Sequence, residues 1–92
     1  MKVYSWNTEK NEKLKAERGI TFEKVMLYIE NGWLLDIINH PNHKEYLEQK
    51  IFIVNIDDYA YLVPFVESEN EIFLKTVIPS RKMTKKYIHR EV

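Results

Sequence analysis

The chain has 92 residues, 45% of them apolar and 30% charged, with 14 basic side chains matched by 14 acidic ones. That length excludes two domains, and zero net charge with 13% aromatic content excludes a chain too poor in apolar bulk to fold. The absence of cysteine excludes a disulfide framework, thiolate metal chemistry and a cysteine nucleophile, and a cytoplasmic setting is expected.

Met1 to Trp6 leads straight into a charged segment, so no export signal is expected. Asn7-Thr8-Glu9 is a good helix start, Lys10 to Arg18 is rich in helix formers, and Gly19 suits the residue just past a helix end. A first helix is therefore predicted over about residues 8–18. Leu14 and Ala16 are its only apolar residues, which places it on the surface with Glu9 and Lys13 as an i,i+4 pair. Trp6, just before it, reads as a hydrophobic staple for that helix. Thr21 then caps a second helix, whose Phe22, Val25, Met26 and Ile29 follow the helical repeat and which Gly32 ends.

From Trp33 the period changes. Segments 33–38, 51–56, 59–66 and 72–78 read as four strands, the last with Ile72, Leu74 and Ile78 on one side. Asp57-Asp58 makes a tight hairpin and Glu67 to Asn70 another turn, so consecutive antiparallel pairing follows. Pro64 cannot donate to a ladder and predicts a bulge or a sheet edge. Trp33 is expected in the core, and Tyr59, Tyr61 and Phe65 share one strand face in a packing role. The longest apolar run, Tyr59 to Val66, falls well short of the roughly 18 residues of a membrane span and contains a proline, so no membrane partner is expected. Pro79 stops the fourth strand, Ser80 caps, and Arg81 to Arg90 forms a closing helix. The expected architecture is α+β over residues 1–92: two N-terminal helices, a four-stranded, mainly antiparallel sheet and a C-terminal helix.

Neutral overall, the chain is segregated in charge. Residues 57–71 carry five acids and no base, whereas 75–90 carry six bases and no acid. At about 100° per residue, Arg81, Lys82, Lys85 and Lys86 share one face of the last helix, with Met83 and Tyr87 opposite. Cations in a first helical turn work against the macrodipole, by roughly 0.3–1 kcal/mol each, so Arg81 and Lys82 are not placed there for stability. A phosphate would explain them; so would a solvated face that keeps a small domain soluble. His40 and His43 could share a metal, but no third ligand stands at a suitable spacing and Pro41 breaks any helix that would aim them together, so no metal site is expected. With glycine only at 19 and 32, a glycine-rich phosphate loop is excluded.

Specific residues resemble the BrnT-type toxin family. Trp6, Asn7 and Lys10, then Gly19-Ile20-Thr21-Phe22-Glu23, are similar to that family's opening Trp-Asp-x-x-Lys and Lys-His-Gly-Val/Ile-Ser-Phe-Glu, at matching spacing. Lys75 to Thr84, with Tyr87 beyond, resembles its Arg-x-Ile-Ile-Ser-Ala-Arg-Arg-Ala-Thr and later Tyr, and Lys50 falls where the family usually has arginine. Arg18 stands at the family's histidine, so any proton transfer by that histidine has no counterpart here. The resemblance implies a RelE-like fold and the toxin of a bacterial type II toxin–antitoxin pair: an endoribonuclease that inhibits translation by cutting RNA and is held by a ribbon-helix-helix antitoxin in a hetero-oligomer. The alternative is a non-catalytic nucleic-acid-binding or antitoxin-binding protein derived from such a toxin.

Cutting RNA without a metal or other cofactor requires removal of the 2′-OH proton, stabilisation of the phosphorane and protonation of the leaving oxygen. Lys50, Lys75, Arg81 and Lys82 are the candidates for charge stabilisation, with Arg81 the first choice for a bidentate clamp. Lys75, on the strand face of Phe73 and Val77, is either a lysine with a lowered pKa or an ordinary snorkelling one. Tyr87 or His89 would be the acid, and Arg81, Lys82, Lys85 and Lys86 would bind RNA.

Overall fold

The computed structural model describes residues 2–42, 44–45 and 49–89. In chain order it comprises β1 (Val3–Trp6), α1 (Thr8–Arg18), α2 (Phe22–Glu30), β2 (Leu34–Asn39), β3 (Gln49–Ile56), β4 (Tyr59–Glu67), β5 (Glu71–Leu74), β6 (Ile78–Pro79) and α3 (Arg81–Tyr87). The class is α+β, but among the described residues a strand precedes the two helices and the sheet has six strands rather than four, in the order β1-β5-β4-β3-β2 with β6 also on β4. It is mixed: β2 to β5 pair antiparallel, as the turns predict, while β1 runs parallel to β5. Four residues of Val-Tyr-Ser-Trp are too short to announce a strand by themselves, and their partner lies nearly seventy positions away, at Glu71 to Leu74.

Both N-terminal helices start and stop where their capping residues place them. Asn7 Oδ1 accepts from Lys10 N–H at 2.9 Å, and Gly19, at φ 67°, donates its N–H to the Lys15 carbonyl at 3.0 Å. Thr21 Oγ1 accepts from Lys24 N–H at 3.2 Å at the head of α2. The i,i+4 ion pair found on α1 joins Lys13 to Glu17 at 4.0 Å, rather than Glu9 to Lys13. α1 also holds a buried polar residue: Asn11 Oδ1 accepts from the Phe22 N–H at 2.8 Å and its Nδ2 donates to Glu23 at 2.7 Å. This side chain satisfies a backbone donor at the start of α2 that the helix itself leaves unpaired.

One face of the sheet packs on α1 and α2 through Phe52, Val54, Val63, Phe65 and Leu74, against Leu14, Phe22 and Val25. The Phe52 and Phe65 rings stack across β3 and β4 at 3.8 Å. Trp6 ends β1 and stacks on Phe22 of α2 at 5.8 Å, so it anchors the second helix rather than stapling the first. Trp33 is 50% exposed, outside the core where its size would put it, because it lies in the turn between α2 and β2 and leans on Tyr28.

The hairpin at Asp57 and Asp58 forms as expected, with both residues at positive φ and Asn55 Oδ1 accepting from Asp58 N–H. That conformation matches the twist of a two-residue hairpin. The fourth predicted strand is interrupted: β5 ends at Leu74 and β6 resumes at Ile78. The interruption reverses the facing of its end, so Val77 is 1% exposed and Ile78 is 43% exposed. Pro64 explains the break. It keeps an unbroken register opposite Ile51 of β3 in a central strand, neither bulged there nor at an edge. Its carbonyl accepts from Lys75 N–H at 2.8 Å, and because N and C=O of a strand residue point the same way, its hydrogen-less nitrogen also faces the gap between β5 and β6.

No helix among the described residues is long and apolar enough to cross a membrane.

Candidate nucleic-acid interface

α3 packs on the sheet face opposite α1 and α2, and two hydroxyls hold it there. Thr84 Oγ1 accepts from the Ala60 N–H of β4 at 2.9 Å and donates to the Ser80 carbonyl at 2.7 Å. Tyr87 OH donates to Asp36 Oδ2 of β2 at 2.7 Å, so α3 spans from β4 to the sheet edge. Ser80 Oγ accepts from Met83 N–H at 3.2 Å as N-cap. Met83, Thr84, Tyr87 and Ile88 are buried or half-buried, while Arg81, Lys82, Lys85 and Lys86 are exposed. The helix thus presents the four predicted cations outward; it spans Arg81–Tyr87, shorter than the expected 81–90, of which Arg90 lies outside the described residues.

The Tyr87 hydroxyl, with the Ile37 N–H as second cause, holds the Asp36 carboxyl below the usual carboxylate range. Asp57 is likewise lowered, by Lys24 and then Tyr28, and Glu67 by Lys2. A depressed carboxyl contributes stability that is complete above its unfolded value, about 3.9 for Asp, and is lost as pH falls through the folded one. Tyr87→Phe is therefore expected to lower the melting temperature at pH 7, with the gap to wild type narrowing between pH 4 and pH 2. A gap independent of pH, in a thermal melt series, would show that the bond does not distinguish the two protonation states of Asp36.

Lys75 lies outside α3. It lines a shallow basin of about 510 Å³ with Asn7, Glu9, Lys10, Lys13 and Phe73, its Nζ 5.9 Å from the Phe73 ring. Val77 turns into the core instead of sharing its face. Phe73 pairs with Val66 and Ser5, which puts it on the same side of the sheet as α3. The Lys75 and Ser80 amides bond carbonyls of Pro64 and Ala60, four residues apart on β4, so the basin and the start of α3 are separated by about 13 Å of strand.

Lys50 stands elsewhere. It pairs with Phe65 and so projects from the α1/α2 face, where it lines an apolar cavity of about 300 Å³ with Phe52, Phe65 and Glu67. The structure therefore brings Arg81, Lys82, Lys85 and Lys86 together, sets Lys75 about 13 Å of strand away in a basin shared with α1, and puts Lys50 on the α1/α2 face. Tyr87 OH lies under α3 at Asp36, while His89 Nε2 meets Asp58 Oδ2 at 3.3 Å. Sequence reasoning missed Lys10 and Lys13. Their i,i+3 spacing was readable, but their approach to Lys75 depends on β1 pairing with β5.

Among the described residues no group of three or more His, Asp or Glu could hold a metal ion. His40 Nδ1 accepts from Asn42 N–H at 3.1 Å, and His43 lies outside the described residues. In comparisons with known proteins, no family model, no curated protein and no solved structure matches this chain.

Proposed function

We propose that this chain is the toxin component of a bacterial type II toxin–antitoxin pair of BrnT type, with a RelE-like fold, acting in the cytoplasm as a metal-independent endoribonuclease that inhibits translation. The observation that carries the reading is the outward cationic face of α3, fixed by Thr84 and Tyr87, with the Lys75 basin about 13 Å of strand away from its start. Such a surface suits a polyanion, with Arg81 and Lys82 on phosphate oxygens and Lys75 beside an aromatic ring. Lys50 drops out of this site because the sheet stands between it and α3. The partner is a ribbon-helix-helix antitoxin whose acidic segment covers the α3 face.

The scatter of the proton-transfer candidates favours a second reading, a non-catalytic RNA-binding protein using the same face. Induced expression of the chain alone in a bacterium separates the two. Catalysis predicts growth arrest with RNA cleavage, abolished by Arg81→Ala/Lys82→Ala and retained by Lys50→Ala. Normal growth with intact RNA, from folded protein, would move the assignment to the second reading.

A further inference from the structure

A cavity of about 210 Å³ opens at the end of the molecule where α2 meets the β3–β4 hairpin, walled by Tyr28, Trp33, Asn55, Asp57 and Asp58. It is smaller than the roughly 300–1,000 Å³ of pockets that enclose a drug-sized ligand, and suits one side chain. Its two rings lie 6.5 Å apart and tilted. Trp33 is half exposed, yet its backbone is tied on both sides: its N–H donates to the Tyr28 carbonyl at 3.0 Å and its carbonyl accepts from Asn55 N–H at 2.9 Å. An exposed indole on so fixed a backbone loses little freedom when something packs on it.

The chain already shows what this chemistry accepts. Lys24 Nζ sits 5.7 Å from the Tyr28 ring centroid and 3.0 Å from Asp57 Oδ2, while Tyr28 OH donates to Asp57 Oδ1 at 2.9 Å. A cation held between a ring and a carboxylate is thus built in at the rim. Both Asp57 oxygens are engaged in that arrangement, which leaves Trp33 and Asp58 as the corresponding ring and acid facing the cavity. Asp58 is 70% exposed on its side chain and meets His89, a contact that carries charge only with the imidazole protonated.

We infer that the Tyr28–Trp33–Asp58 cavity binds the side chain of an arginine presented by a partner polypeptide. The guanidinium stacks on Trp33 and donates to the Asp58 carboxylate, a pairing that a planar fork makes better than an ammonium. With Asp57 paired to Lys24, the Asp58 carboxylate at the mouth opposes a phosphate backbone, so a nucleic-acid base is the disfavoured occupant of the same ring. This inference is independent of the RNA reading above.

The test uses the full chain and the peptide acetyl-Gly-Arg-Gly-amide, with lysine and citrulline versions as controls, read by Trp fluorescence and by NMR shifts of Tyr28, Trp33 and Asn55. Trp6, half-buried with its ring stacked on Phe22, lies outside this cavity, which leaves Trp33 as the responsive indole. The expected result is saturable binding near ~1 mM, weaker for lysine, with citrulline and the Asp58→Asn variant each losing at least about fivefold. Asparagine tolerates the positive φ of position 58, so that variant keeps the hairpin. Citrulline binding as well as arginine, unchanged binding by Asp58→Asn, no response up to ~20 mM, or uridine monophosphate shifting the same resonances more strongly would each overturn the assignment.

Discussion

Phe22→Ala is expected to lower the free energy of unfolding by about 3–5 kcal/mol, the usual cost of truncating a fully buried phenylalanine. A domain of this length has a total of roughly 5–15 kcal/mol, so much of the fold's margin hangs on one ring. The site explains why the loss should sit at the upper end. Phe22 is 0% exposed, its ring stacks on Trp6 of β1, and its N–H is held by the buried Asn11 of α1. Three consecutive elements, β1, α1 and α2, meet at this residue, and surrounding backbone held by hydrogen bonds cannot collapse into the void. Urea denaturation would measure the loss, and hydrogen exchange should show β1 amides deprotected before those of β3 and β4. A loss under about 1 kcal/mol, or uniform deprotection, would show that β1 is secured elsewhere.

The same junction marks the limit of what the chain discloses residue by residue. Caps, periodicity and turns are local chemistry, and they predicted α1, α2, β2 to β4 and the Asp57-Asp58 hairpin within a residue or two. β1 is different in kind: Val3 to Trp6 becomes a strand only because Glu71 to Leu74 is there to pair with it. The break after Leu74 is also non-local, since it answers to Pro64 on the neighbouring strand. Trp33 shows that apolar bulk does not ensure burial when the residue falls in a connection at the molecule's end. At the candidate site, the outward cations of α3 follow from helical spacing and were legible. The Lys75 basin and the separation of Lys50 follow from sheet register, which no local pattern encodes.

That distinction decides how RNA binding should depend on charge. Replacing Arg81, Lys82, Lys85 and Lys86 together with glutamine removes four exposed cations, including the Lys86 Nζ that lies 5.4 Å from the Tyr87 ring, but keeps the Thr84 bonds to Ala60 and Ser80 that dock the helix. If this face tracks the backbone of single-stranded RNA, affinity is expected to fall by about tenfold or more at low salt, and the slope of log K against log salt to lessen by about 0.7 for each phosphate no longer neutralised. Lys10→Gln/Lys13→Gln/Lys75→Gln should add a further, smaller reduction, because those cations line one basin about 13 Å of strand from the start of α3. Lys50→Gln serves as the per-charge control, since it removes one charge from the opposite face. Filter binding of a short unstructured RNA across a salt series measures all three. An unchanged slope in the fourfold variant would remove α3 from the interface, and a slope that falls by as much per charge removed for Lys50→Gln would mean that net charge, rather than this face, governs the association.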